Sequence, residues 1–91
     1  MQTSITHHPQ SFRFEALVDG HLCVLNYQLH EGVMTIVHTG VPAEVGGRGI
    51  ASELTRIALE TARVQGWRVA PRCSYAAAYI KRHPEYLELM A

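Results

Sequence analysis

Several residue types that mark particular classes of protein are scarce in this sequence. Its 91 residues include two cysteines, Cys23 and Cys73, which are too few for a disulfide framework and favour a reduced, cytoplasmic protein. Only 18% of the residues are charged, and eight Lys plus Arg balance eight Asp plus Glu. The sequence therefore lacks the basic excess typical of proteins that bind nucleic acid or anionic membranes. No apolar run approaches the roughly 18 residues of a transmembrane helix, and residues 1–9 contain no apolar signal-peptide core.

The length and the apolar content indicate one small domain. A chain of 91 residues, of which 47% are hydrophobic, is long enough for a single core. We therefore predict that residues 1–91 form one domain, in which residues 1–9 are a polar leader that is disordered or frays. Because the formal net charge is zero, little self-repulsion opposes a homodimer, and the oligomeric state stays open.

The first half of the sequence has the two-residue period of β-strands. Apolar and polar residues partly alternate, and β-branched and aromatic residues are frequent, which predicts strands over residues 12–18, 21–30 and 33–39. The turns between them are Asp19-Gly20, a strong hairpin signal, and Glu31-Gly32. These segments predict an antiparallel meander of three strands.

The second half has the 3.6-residue period of helices. One apolar face begins at Ile50, and Gly66 is the expected end of that helix. A short strand over residues 67–71 follows, then a second helix that starts at an N-cap, Ser74, and ends at the His83-Pro84 break, and finally a short amphipathic tail. The order β-β-β-α-β-α predicts an α+β fold with a mostly antiparallel sheet, one β-α-β unit and helices packed on the sheet.

A glycine-rich stretch, Gly-Gly-Arg-Gly-Ile-Ala at residues 46–51, lies just before the long helix. Glycines let a ligand approach the main chain, and a helix start offers free N–H groups and the positive end of the helix dipole. Together they are typical of a phosphate site, to which Arg48 would add a charge-assisted contact. The alternative is a turn that only joins strand to helix. No Gly-Lys-Ser/Thr follows, which excludes a P-loop, and the spacing is not that of a dinucleotide fingerprint.

This stretch resembles the cofactor-binding motif of the GNAT superfamily of acyl-CoA-dependent N-acyltransferases, in which a strand is followed by Q/R-x-x-G-x-G/A and a long helix. Gly49 and Ala51 match the last two fixed positions of that motif. Gly46 stands where the family usually has Gln or Arg, so a side-chain contact from that position is lost. Main-chain contacts, which the family mostly uses here, are unaffected.

Further segments extend the likeness to a subfamily. Residues 38–42, 47–51 and 77–86 are similar to the small single-domain YidJ-like GNAT proteins. The resemblance spans residues 12–88, nearly the whole chain. It implies a GNAT-like fold and a CoA-dependent acyltransferase that moves an acetyl group from acetyl-CoA to an amine.

The resemblance also implies where the cofactor binds. Main-chain amides of the glycine loop would hold the CoA pyrophosphate, and the exposed edge of the preceding strand would pair with the pantetheine arm. The residues implied are His38, Thr39, Val41, Gly46, Gly47, Arg48, Gly49, Ile50 and Ala51. Larger members have helices between their first two strands that wall the acceptor site. Here Asp19-Gly20 stands in their place, so we expect an acceptor site that is open or is completed by a partner chain.

Cys73 follows the short strand and precedes the last helix, next to Arg72. The resemblance places this position near the acyl thioester. A helix N-terminus and a nearby Arg would lower the pKa of the thiol, which would let Cys73 accept the acyl group as a nucleophile. The alternative is a cysteine that only packs, which is what we expect of Cys23.

Tyr79 and His38 are the candidates for proton transfer. Many GNAT proteins have a tyrosine on the last helix that protonates the departing CoA thiolate, and Tyr79 is the candidate for that role, with Tyr75 and Tyr86 as weaker ones. His38 ends the strand that would border the thioester, where it would act as general base for an ammonium substrate. A packing role for either side chain stays open.

The six histidines do not form a metal-binding pattern, because no pair has the i,i+4 helical spacing or a Cys-x-x-Cys partner. We therefore predict no metal site. Three functions remain: a CoA-dependent N-acetyltransferase, an acyl-CoA-binding module with little or no catalysis, and an α+β interaction domain with a degenerate phosphate loop. The identity of the amine acceptor is not encoded in any motif.

Overall fold

The computed structural model describes residues 4–91, which form five strands and two α-helices. The strands are β1 (Thr6–His8), β2 (Arg13–Val18), β3 (His21–His30), β4 (Val33–Gly40) and β5 (Arg68–Pro71). The helices are α1 (Ile50–Gln65) and α2 (Ser74–Arg82), and short 3-10 turns occur at Pro9–Ser11, Ala43–Val45 and Pro84–Leu89. The predicted elements are all present, with ends within one residue or two of those expected. The N-cap of α2 is Cys73 rather than Ser74, which is already helical.

The five strands form one sheet in the order β1-β2-β3-β4-β5. Strands β1 to β4 are antiparallel to their neighbours, and β5 is parallel to β4, to which it is joined through α1. The predicted α+β fold with a mostly antiparallel sheet is confirmed, with one more strand at its start. No helix among residues 4–91 combines the length and apolar character needed to cross a bilayer.

Both hairpin turns have the backbone geometry that their sequences predict. Asp19 and Gly20 have φ of 49° and 78°, and Glu31 and Gly32 have φ of 50° and 77°. Positive φ at both central residues is the type I′ turn, whose twist matches that of the flanking strands. These turns place β2, β3 and β4 side by side.

The expectation of a disordered leader is wrong for residues 6–8. Thr6–His8 pairs with β2 as an edge strand, and the ring of His7 stacks on Phe14 at 4.1 Å between centroids. The His7 Nε2 atom also lies 2.6 Å from the Tyr27 hydroxyl. Strand β1 is too short and too polar to be predicted from its sequence pattern, and the side-chain contacts of His7 hold it in the sheet. Residues 1–3 of the expected leader lie outside the described residues.

The core lies between the two helices and one face of the sheet. The sheet contributes side chains that are fully buried or nearly so: Phe14, Ala16, Cys23, Leu25, Tyr27, Met34, Ile36 and Val69. The helices contribute Ile50, Leu54, Ala58, Leu59, Ala62, Ala76 and Ile80. The expected packing role of Cys23 agrees with its full burial. The C-terminal segment predicted as an amphipathic tail packs against this core through Tyr86 and Leu89.

The opposite face of the sheet, here called the outer face, is not covered by the two helices. Leu17, Leu22 and Val37 are exposed on it, Leu17 by 71%. As expected, β2 and β3 are joined directly by the tight turn at Asp19 and Gly20, with no helix between them. Any acceptor that reaches this side of the sheet therefore meets an open surface.

Candidate functional site

Strands β4 and β5 pair over only part of their length. The parallel ladder runs from Val33 opposite Arg68 to Ile36 opposite Pro71, and β5 then ends while β4 continues to Gly40. The N–H groups of Arg72 and Cys73 both donate to the Ile36 carbonyl, at 3.0 and 2.9 Å, and form the last links between the two segments. Within the described part of the chain, no strand pairs with this edge of β4 over residues 37–40. An extended ligand has main-chain partners there.

A β-bulge in β4 determines which side chains face this gap. Asn26 is opposite His38, but the next residue of β3, Tyr27, is opposite Ile36, so Val37 is the extra residue. Side chains of cross-strand partners share a face. His38 therefore lies on the outer face with Asn26. Thr39, whose partner Leu25 is fully buried, points to the core side.

The glycine loop and the start of α1 surround a cleft of about 260 Å³. Gly47 and Gly49 have φ of 79° and 77°, and the position of a Cβ on either has no atom within 4 Å. Gly49 is the N-cap of α1, and no side chain in the described residues caps that end. The first N–H groups of α1 are therefore free for an anion. The lining residues are Val41, Gly46, Gly47, Gly49, Ile50, Ala51, Ser52 and Tyr75.

These features fit the pyrophosphate of CoA. The left-handed glycines keep the cleft free of side chains, and the helix start supplies donors and a positive partial charge. Of the residues predicted to bind the cofactor, the structure lines the cleft with six: Val41, Gly46, Gly47, Gly49, Ile50 and Ala51. His38 and Thr39 lie instead on the edge of β4.

The Arg48 side chain is engaged outside the cleft. Its Nη1 atom donates to Asp19 Oδ2 at 2.6 Å, which ties the glycine loop to the β2–β3 turn. The two side chains are 38% and 65% exposed, so the pair contributes little to stability. A contact between Arg48 and a bound phosphate would have to replace this ion pair.

Cys73 lies at the N-terminus of α2 on the other side of the gap. Its half-buried thiol Sγ is 3.6 Å from Thr39 Oγ1. Burial opposes ionisation of the thiol. Hydrogen bonds from the backbone N–H of Ala76, from the Thr39 side chain, and from the N–H groups of Tyr75 and Thr39 outweigh it, so the pKa of Cys73 is lowered. Arg72, which we expected to help, is exposed and is not among these leading causes.

Tyr79 does not line the cleft. It is 4% exposed, and its ring stacks on His83 at 4.0 Å between centroids. Burial raises the pKa of its hydroxyl, and a hydrogen bond from Ser52, which does line the cleft, opposes that rise. Tyr75, one turn earlier on α2, is half-buried and lines the cleft directly. A proton donor in direct contact with a ligand there would be Tyr75.

The exposed His38 imidazole lies over Gly40, where its Nε2 atom is 2.9 Å from the position that a Cβ would occupy. It is on the outer face, whereas the Cys73 sulfur contacts Thr39 on the core side. The structure therefore does not bring His38 and Cys73 together. Among residues 4–91, no three His, Cys, Asp or Glu side chains gather as metal ligands would.

Two features of the site were missed in the sequence. Ser52 lies in the first turn of α1, and the predicted helix start at Ile50 was a sufficient signal that its side chain would be near the glycine loop. The contact between Thr39 and Cys73 joins residues 34 positions apart and had no local signal.

Two comparisons with known proteins bear on this site. A family model described as GCN5-related N-acetyl-transferase matches residues 13–89. The fold is also similar to an NMR solution structure of a GCN5-like N-acetyltransferase candidate from Staphylococcus aureus, with a TM-score of 0.77 and 24% sequence identity. That match covers 97% of this chain and 87% of the other, and at this identity it shows a shared fold.

Proposed function

Because this chain belongs to the GCN5-related N-acetyltransferase family, we propose that it transfers the acetyl group of acetyl-CoA to an amine. One observation carries the proposal. The gap between β4 and β5 has the uncapped start of α1 on one side and, on the other, the half-buried thiol of Cys73 at the N-terminus of α2. A ligand with an anionic group, an extended amide-bearing arm and a reactive thioester matches these features in turn. We also assign the chain to the small single-domain YidJ-like subfamily.

In this proposal the CoA pyrophosphate binds the main-chain N–H groups of residues 46–51. The pantetheine arm follows residues 38–41, which are the unpaired end of β4 and the residue after it, as an added strand would. The thioester then lies beside Cys73. Recognition is mostly by the main chain, which is consistent with a glycine at position 46.

The proposed transfer has two steps. The Cys73 thiolate attacks the acetyl carbonyl, so that a bond from carbon to Cys73 Sγ forms as the bond to the CoA sulfur breaks, and the CoA thiolate leaves and takes up a proton. Tyr75, which lines the cleft, donates that proton in this proposal, with Tyr79 as the alternative donor. A neutral amine then attacks the acetylated Cys73, which forms the amide and releases the Cys73 thiolate. An ammonium substrate loses its first proton to His38 or to water on the outer face before the attack, and the proton that the nitrogen sheds on forming the amide goes to water, because His38 does not face Cys73.

The cofactor site is tested by calorimetry with acetyl-CoA on a matched pair of variants. Gly49→Glu places a side chain and a negative charge in the cleft and is expected to abolish binding. Gly66→Glu is the control, because Gly66 ends the same helix with φ of 75°, close to the 77° of Gly49, and also has no neighbour within 4 Å of a Cβ. The control is expected to bind as the parent does. A folded Gly49→Glu variant with the parent's affinity would refute the site.

The acyl-enzyme step is tested by peptide mass after incubation with acetyl-CoA. We expect one acetyl group on Cys73 and none on the fully buried Cys23, which serves as the internal control. The Cys73→Ala variant should bind acetyl-CoA and fail to acetylate amines. If it acetylates amines at the parent's rate, the amine attacks the bound thioester directly and Cys73 only packs.

A second candidate function is an acyl-CoA-binding module without efficient catalysis. The uncovered outer face favours it, because nothing in residues 4–91 encloses an acceptor beside His38. Binding of acetyl-CoA without acetylation of Cys73 or of any amine would support this function. A homodimer would be another way to enclose the acceptor, and sedimentation of the protein with and without acetyl-CoA tests for it.

A further inference from the structure

The side chain of Thr39 in β4 contacts the sulfur of Cys73, the N-cap residue of α2. Thr39 Oγ1 lies 3.6 Å from Cys73 Sγ, within hydrogen-bonding distance for sulfur, and both residues are half-buried. Thr39 is on the part of β4 that β5 does not pair. The contact between Thr39 and Cys73 therefore lies on a part of the β4 edge that β5 leaves unpaired.

The bulge at Val37 is what directs Thr39 to this position. Because side chains alternate along a strand, a one-residue change in register moves each side chain to the opposite face. If the same residues paired regularly after Ile36, with no bulge, His38 would lie opposite Leu25 on the core side and Thr39 opposite Val24 on the outer face. The bulge thus supplies Cys73 with a hydroxyl neighbour and sends the imidazole to the outer face.

The surroundings of the sulfur suit an anion better than a neutral thiol. The Thr39 hydroxyl oxygen lies 3.6 Å from the sulfur, and the hydroxyl and N–H of Thr39, with the N–H groups of Tyr75 and Ala76 at the start of α2, favour the anionic form and lower the pKa of Cys73. A thiolate accepts from several donors at once, whereas a neutral thiol is a weak acceptor with a single proton to donate. Two of these donors belong to Thr39, and the hydroxyl is the one that a substitution can remove without changing the backbone.

We propose that Thr39 is a positioning residue for Cys73: its hydroxyl accepts from the neutral thiol in the structure, turns to donate to the sulfur in the thiolate form, and orients the sulfur toward the unpaired edge of β4. The inference rests on the proposed role of Cys73 as the acyl acceptor. The ionisable neighbours do not replace Thr39 in this task. Arg72 beside β5 is exposed, His38 of β4 lies on the outer face, and the Tyr75 phenol of α2 lines the adjoining cleft.

The test compares Thr39→Val, which keeps the shape and removes the hydroxyl, with Thr39→Ser, which keeps the hydroxyl and removes the methyl group. The readout is the pH profile for alkylation of Cys73 by iodoacetamide, followed by peptide mass without acetyl-CoA. The thiolate is the reactive form, so the midpoint reports the thiol pKa. We expect Thr39→Val to raise the midpoint by about one pH unit, which is about tenfold less thiolate near neutral pH. Thr39→Ser should restore the parent profile, and circular dichroism should show all three proteins folded.

An unchanged profile in folded Thr39→Val would overturn the inference. So would a Thr39→Ser profile that shifts as far as that of Thr39→Val, because the methyl group would then be what matters. The acetylation rate of Cys73 by acetyl-CoA separates this inference from the proposed function. A shifted alkylation profile with no acetyl-Cys73 in the parent would support the Thr39 contact and refute the acyl-enzyme.

Discussion

Tyr86 holds the C-terminal 3-10 turn against α1, and ionisation of its hydroxyl at alkaline pH should destabilise this contact. The side chain is 4% exposed, its hydroxyl donates to Glu60 Oε2 at 2.6 Å, and the Arg63 guanidinium lies 5.4 Å from the ring centroid. Burial, together with the hydrogen bond to Glu60 and its charge, raises the pKa of Tyr86 to about 12. We predict that the Tyr86→Phe variant is the less stable protein at pH 7 and the more stable one at strongly alkaline pH.

The size of each effect follows from these contacts. A hydrogen bond to a carboxylate contributes about 1.5–3 kcal/mol, and we expect about 1 kcal/mol because water can replace Tyr86 at Glu60. The side chain of Glu60 is 43% exposed. An unfolded tyrosine ionises near pH 10, so with a folded pKa of about 12 the parent loses about 2 kcal/mol as pH rises from 10 to 12. The two stability curves should therefore cross near pH 11.

Urea unfolding followed by the fluorescence of the single tryptophan, Trp67, measures both curves. The two proteins differ only at position 86, so the difference between their free energies of unfolding isolates Tyr86. Glu60→Gln is the control: it keeps an acceptor but removes the charge, so its alkaline loss should lie between those of the parent and Tyr86→Phe. A parent-minus-variant difference that is the same at pH 7 and at pH 11 would refute the reasoning.

Two further predictions concern the pKa of His7 in β1 and the ion pair between Asp19 and Arg48. Burial, with a smaller contribution from the charge of His8, lowers the pKa of His7, so the parent should lose stability as pH falls below the unfolded value of about 6.5. His7→Phe should lose less between pH 7 and pH 5 in urea unfolding, and parallel curves would contradict this. Asp19→Asn releases Arg48 and should tighten acetyl-CoA binding by about two- to fivefold at low salt, with stability unchanged within about 0.5 kcal/mol. Equal affinity in calorimetry would show that Arg48 does not reach the ligand.

Local signals in the sequence predicted the strands of the meander and both helices because their physical causes are local. Glycines at positions 20 and 32 permit the positive φ of the type I′ turns, and Gly66 permits the left-handed end of α1. The glycine cleft is predictable for the same reason, since a loop that leads into a helix start is defined by consecutive residues. The family resemblance rested on that stretch and is confirmed at the level of the family.

The edge strand β1 could not be predicted from the sequence pattern. A three-residue polar strand has no periodicity of its own, and it is held by the contacts of His7 with Phe14 and Tyr27, which come from β2 and β3. Such a strand exists only once its neighbours are in place.

The chemistry around Cys73 divides in the same way. The sequence by itself determined that a thiol would stand between a strand end and a helix start, because adjacent residues specify that junction. The tertiary structure alone decided that Thr39 and not His38 faces the sulfur, and that Tyr75 and not Tyr79 lines the cleft. Which side chain faces the sulfur depends on the bulge, and so on the pairing register of β3 and β4. Which tyrosine lines the cleft depends on how α2 packs against α1. Registers and packing angles are set by the whole core, so no local pattern of residues encodes them.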